Sequence, residues 1–116
     1  MKRDIREQWL EELRSDRHKK GRYGLKDCDG YVSPGGILCD LAVAAGVIDP
    51  PKDLTKKTGR DAPMFFGWTY EGEGVGIPES VAKWADISYR AVWRLDYKSD
   101  CGLSFDEVAD LIEKEF

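Results

Sequence analysis

Apolar side chains recur at Ile5, Trp9 and Leu13, every fourth position, with Leu10 beside them, while Arg6, Glu7, Glu11 and Glu12 fill the other side. That spacing predicts an amphipathic helix over residues 4–16 with Trp9 in the core. Residues 17–33 break the period, because Gly21, Gly24 and Gly30 stand among basic and small polar side chains, and they read as a loop with a tight turn around Asp29 and Gly30. Helical spacing resumes at Ile37, Leu38, Leu41, Ala42 and Ala45. Ser33 before Pro34 has the form of an N-cap with proline at the first helical position, and Gly46 suits a helix stop, so a second, largely apolar helix is expected from Pro34 or Gly35 to Ala45.

Asp49, Pro50 and Pro51 forbid continuation, and residues 50–63 read as a connector. Met64 to Tyr70 is short and aromatic and reads as a strand, followed by a glycine-glutamate turn over residues 71–76. Pro78 opens a third helix over residues 78–86, with Val81, Trp84 and Ala85 as its apolar stripe. Residues 88–97 admit two readings: Tyr89, Val92, Trp93 and Leu95 suit a strand paired with residues 64–70, whereas Ala91, Val92 and Leu95 suit a helical turn. A last helix starts at the capping box of Ser104 and Glu107 and carries Phe105, Val108, Leu111 and Ile112 on one face. The expected fold is mostly α, a small single domain over residues 1–116 of about four short helices, with or without a two-stranded β-hairpin; α+β is the alternative.

Composition narrows the class. A chain of 116 residues makes one domain, and 41% hydrophobic with 34% charged residues fits neither a disordered chain nor a membrane protein. The net charge of -4 argues against a general nucleic-acid binder. The charge is uneven: Arg14, Arg17, Lys19, Lys20, Arg22 and Lys26 face only Asp16 in one segment, and Asp100, Asp106, Glu107, Asp110, Glu113 and Glu115 face only Lys114 in another. These segments are either solvated faces that attract each other across the fold or partner surfaces. Cys28, Cys39 and Cys101 lack zinc-ribbon pairing, and His18 stands alone, so no metal or cofactor is expected. Neither a secretory leader nor a run of ~18 apolar residues is present, so no membrane is expected and the expected location is the cytoplasm.

Several pieces, in order, resemble a family of small uncharacterised proteins of bacteriophages, prophages and some bacterial genomes. They are Trp9 with Leu13-Arg14-Ser15, the Gly21 and Leu25 region, Gly36-Ile37-Leu38-Cys39-Asp40-Leu41-Ala42 through Gly46-Val47, Ile77-Pro78-Glu79-Ser80-Val81 with Trp84-Ala85, and Asp100 with Gly102 before Ser104-Phe105 and Val108-Ala109-Asp110-Leu111-Ile112. The resemblance implies a phage or mobile-element accessory protein and brings no catalytic residue. Members of that family often carry Cys-Cys-Leu-Gly at the entry to the second helix, where this chain reads Val32-Ser33-Pro34-Gly35-Gly36, so thiol catalysis at that place is not expected. Cys39, inside an apolar helix, reads as a small buried side chain.

Two binding surfaces are suggested by the residues themselves. Gly35 and Gly36 precede free amides at a helix start, and Arg17, Lys19, Lys20, Arg22 and Lys26 come from the preceding loop, a combination that suits a small anionic ligand such as a nucleotide second messenger. Trp68 and Tyr70 on the aromatic strand, with Trp93 and Tyr97, are candidates for docking a partner, and Trp93 and Tyr97 are expected to be the exposed ones. Catalysis has little to stand on, since no phosphate loop is present, Glu71 and Glu73 sit on a flexible stretch, and His18 lies among basic, solvent-friendly residues. The function expected is therefore non-catalytic binding of a host bacterial protein; sequestration of a small anionic ligand and a small enzyme acting on a nucleotide are the alternatives.

Overall fold

A computed structural model describes residues 1–21, 24–53 and 67–116. The first helix, α1, runs Arg3–Arg14 and buries Ile5, Trp9, Leu10 and Leu13, the predicted stripe. It stops two residues short of the expected end because Asp16 takes a left-handed backbone, φ 60°, and the Ser15 hydroxyl donates to the Glu12 carbonyl at 2.7 Å. Within the segment read as a loop, Lys26–Asp27 form a short strand, β1, and the turn that follows closes as expected. The Asp27 carboxylate accepts from the Asp29 and Tyr31 amides, and Gly30 takes φ 82°.

The second helix, α2, runs Pro34–Ala44, with the Ser33 side chain accepting from the Gly36 amide at its start. Gly46, φ 75°, follows its end as expected of a left-handed stop. Lys52–Asp53 form β2 and Gly67–Thr69 form β3. In place of a hairpin with residues 88–97, β3 is the middle of a three-stranded antiparallel sheet, ordered β1-β3-β2. Lys26 pairs with Trp68 and Lys52 with Thr69. Two-residue strands are too short for alternation to show, which is why the outer pair was hidden in a loop and a connector. The rest of the expected strand, residues 64–66, and most of the connector lie outside the described residues.

Helix α3 runs Glu79–Ala85 and ends in a left-handed Asp86, φ 53°. Residues 88–97 resolve to the helical reading: Tyr89–Asp100 is helix α4, capped by the Ser88 hydroxyl, which accepts from the Ala91 amide at 3.1 Å. Val92, Leu95, Asp96 and Ser99 bury at spacings of three and four, so the inward stripe contains two polar residues that an apolar count overlooks. The last helix, α5, is Phe105–Glu115, and both halves of its capping box are formed. The described residues thus form five helices and a small sheet, a mostly α domain as expected.

Helix α2 is the hub, touching α1, α3 and α4, while α1 and α4 also pack on α5. Its first turn is pressed closely against its neighbours. The Trp9 indole donates to the Pro34 carbonyl at 2.9 Å, and a Cβ on Gly36 would stand 1.9 Å from the Leu25 carbonyl oxygen. Only glycine fits there. Gly36→Ala must push backbone against backbone, and urea denaturation should show a loss of about 1–3 kcal/mol, the usual range for overpacking. Ser104→Ala, which removes the α5 cap, should cost about 1 kcal/mol by the same measurement. Wild-type stability in the Gly36 variant would show that the contact is soft.

Candidate functional site

The loop cations that the sequence offered for an anion do not converge. Arg17 pairs with Glu12 of α1 at 2.7 Å, and Lys20 donates to the Ser99 and Leu103 carbonyls, both at 3.1 Å, at the negative end of α4. Lys26 stands 3.4 Å from Asp40 of α2, and the Lys19 ammonium lies 5.7 Å from the centre of the Tyr31 ring. Arg22 lies outside the described residues. His18 is not freely exposed: at 2.6 Å from Glu12 it shares that carboxylate with Arg17, and the bond from His18, followed by that from Arg17, holds the Glu12 carboxyl below its ordinary range. Each described cation is directed to a different part of the fold.

At the start of α2 the expectation needs correction for a sharper reason. Gly35 and Gly36 are buried, and neither amide is open to a ligand. The Gly36 amide donates to Ser33, and the Gly35 amide donates to the Asp96 carboxylate of α4 at 2.7 Å. A carboxyl group does occupy the helix N-terminus, and it belongs to the chain. A side chain at Gly35 would displace it, because a Cβ there would lie 2.6 Å from Asp96 Oδ2 and 3.0 Å from Val92.

The four candidate aromatics divide. Tyr70 is wholly buried and its hydroxyl donates to Asp40 at 2.5 Å, so it presents no ring to a partner. Burial, reinforced by that bond to Asp40, pushes its phenol pKa up. Trp68 is half-buried, with the Lys26 ammonium 5.9 Å from its ring centre. Trp93 and Tyr97 are the exposed pair, 48% and 57% accessible, stacked one helical turn apart with ring centres 5.7 Å apart and planes 12° from parallel. Val75, 55% exposed, extends the apolar surface.

Beneath this pair is a pocket of about 270 Å³ lined by Gly24, Ser33, Val75, Trp93, Asp96, Tyr97 and Asp100. Its rings and its buried carboxylate come from one helix, α4, at spacings of three and four. Tyr89, 49% exposed, lies one turn before Trp93 and lines a second, open groove with Glu73, Ile77, Glu79, Lys83 and Asp86. Gly76 fits against the Tyr89 ring, and its neighbour Val75 lines the pocket, so the two concavities adjoin along one face. Asp96 was missed because residues 88–97 were open between strand and helix, and Asp100 was read only as part of the acidic C-terminal segment. Placed on a helix, Trp93, Asp96, Tyr97 and Asp100 share a side, and that was the available signal.

Burial raises the Asp96 carboxyl, with the Asp100 charge adding to it, and the Gly35 amide and Ser33 hydroxyl oppose the rise; the balance is a pKa pushed up to about 7. Cys39 on α2 is fully buried as expected, and burial drives its thiol pKa up. Among the described residues no group of three or more His, Cys, Asp or Glu could hold a metal ion, and no helix is long and apolar enough to cross a membrane. The Ser33 hydroxyl accepts from the Gly36 amide and also bonds Asp96, and the pocket is otherwise lined by rings, two carboxyl groups, Gly24 and Val75.

Because the folded protein binds the Asp96 proton more tightly than an ordinary carboxyl does, this group favours folding at low pH, and its contribution is lost as the pH rises through about 7. Asp96→Asn keeps an acceptor for Gly35 and removes the charge. The variant's melting temperature relative to wild type should therefore climb between about pH 4 and pH 7 and level off above that; parallel profiles would show that Asp96 is not the titrating group. Thiol labelling of the native protein should modify Cys28 and Cys101, which are exposed, and reach Cys39 only on unfolding.

No curated protein and no solved structure matches the chain. A family model does, along its whole length: over residues 1–116 the chain matches the family described as Domain of unknown function (DUF8296), and it belongs to that family.

Proposed function

We propose that this protein is a non-catalytic accessory protein of a phage or mobile element that binds a host bacterial protein, and that it does so by docking a basic segment of that protein on the outer face of α4. The observation that carries the proposal is the exposed Trp93–Tyr97 stack above a pocket containing a buried carboxylate. Large rings that are half in water are costly to leave uncovered and are enriched where proteins meet. The rest of the face supports a basic occupant: Glu73, Glu79 and Asp86 line the adjoining groove, where Lys83 is already paired with Glu79 at 3.2 Å. Arg90 and Arg94, also on α4, do not line the pocket.

The phage origin and the host target come from the resemblance described above, and a host-takeover or anti-defence role follows from them. A small anionic ligand is less well served, since the α2 amides hold Asp96 and the described loop cations are occupied elsewhere. The pocket volume also lies below the ~300–1,000 Å³ usual for small-molecule sites.

A bacterial lysate passed over the immobilised protein and over a Trp93→Ala/Tyr97→Ala variant tests the reading. The expected result is a protein retained by the wild type and lost by the variant, cross-linked to α4 through a basic segment of its own. Retention that ignores the double substitution, or an acidic cross-linked segment, would overturn it. So would a dimer in sedimentation that the substitutions abolish, which would assign the face to a second copy of this chain.

A further inference from the structure

We infer that the pocket under Trp93 and Tyr97 is a socket for a single arginine side chain of the docked protein, with Asp96 as the carboxylate that receives the guanidinium. The inference rests on the docking reading above and makes it specific. The size suits one long side chain: about 270 Å³ is lined by Gly24, Ser33 and Val75 together with Trp93, Asp96, Tyr97 and Asp100 of α4. The Trp93 and Tyr97 rings are stacked on each other at 5.7 Å, which leaves no room for a planar group between them. A cation must therefore lie against the outer face or the edge of the stack, next to the carboxylate.

Arginine matches this better than lysine. A guanidinium is flat, weakly hydrated and able to stack on an aromatic face while its N–H fork meets a carboxylate, whereas an ammonium is compact and gives up its water reluctantly. Asp96 is held by the Gly35 amide on Oδ1 and by the Ser33 hydroxyl, so the carboxylate is fixed in place before any ligand arrives. A carboxylate that shares a pocket with two rings rewards a cation that brings charge and apolar surface together. A neutral side chain of the same shape would satisfy the rings and leave the carboxylate without its counter-charge. The fixed carboxylate also disfavours phosphate or a carboxylate ligand at the same place, by repulsion from Asp96 and Asp100.

The test needs no knowledge of the partner. Nα-acetyl-arginine amide, the corresponding lysine derivative and the corresponding citrulline derivative can each be titrated into the intact protein, with the Trp93 indole N–H followed by NMR and assigned through Trp93→Phe. Arginine should shift that resonance saturably. Citrulline, the neutral isostere, should bind about tenfold more weakly or worse, the value of one charge-assisted contact, and lysine should fall between. Asp96→Asn should erase the preference for arginine over citrulline while the remaining indole signals keep their folded positions. Equal responses to arginine and citrulline, no response to either, or an undiminished preference in Asp96→Asn would overturn the arginine socket. Those results would leave the docking face standing if lysate retention still depended on Trp93 and Tyr97. Conversely, a clear arginine preference without a retained protein would keep the socket and remove the partner assignment.

Discussion

The first turn of α2 imposes the strictest requirement in the molecule. Pro34, Gly35, Gly36 and Ile37 are all buried, so a helix end whose amides would ordinarily face water must be satisfied inside the protein. Ser33 accepts from one amide and Asp96 from another, while the Trp9 indole reaches the Pro34 carbonyl from α1. These bonds join α2's own cap to two elements distant in the chain, α1 and α4. Proline supplies a position without an N–H, and the two glycines allow Leu25, Val92 and Asp96 to approach as closely as they do. The hub role of α2 is thus a polar problem solved at one end and an apolar one solved along the rest.

That solution ties the interior to the surface. The carboxylate that completes α2 also lines the pocket shared with Trp93 and Tyr97, so under the proposed function one face of α4 would serve packing and recognition at once. Fixed by a backbone amide, Asp96 is a better receptor for a cation than a mobile surface acid, because its ordering entropy has been met during folding. The opposed charge segments are likewise partly reconciled within the fold: Arg14 bridges Asp110 and Glu113 of α5 at 2.8 and 3.0 Å. At that degree of exposure such pairs contribute little to stability and mainly set how the two helices align.

What the residues disclosed beforehand, and what they withheld, follows physical lines. Local signals read correctly: the Ser33 and Ser104 caps, the Gly46 stop, the turn at Asp29 and Gly30, and the stripe of α1 are each decided within a few residues. The strand partners of Trp68 were illegible, since two-residue strands leave no alternation and pairing is a long-range choice. The anion expectation had sound physics and the wrong occupant, because the carboxylate that fills the helix start lies 61 residues away in the one segment whose secondary structure was open. Reading that segment as a helix would have placed Trp93, Asp96, Tyr97 and Asp100 together. Tyr70 was misjudged for a related reason: its buried hydroxyl is balanced by Asp40, a pairing that no local pattern announces.

The contact between α1 and α5 joins residues about as far apart as the chain allows, with the Arg6 guanidinium donating to the Glu113 carbonyl at 3.0 Å across 107 positions. During synthesis, then, the stripe of Ile5, Trp9, Leu10 and Leu13 can meet α2 early but must wait for α5 before that side is covered. Until that moment the nascent chain carries an apolar helix flank that invites chaperones.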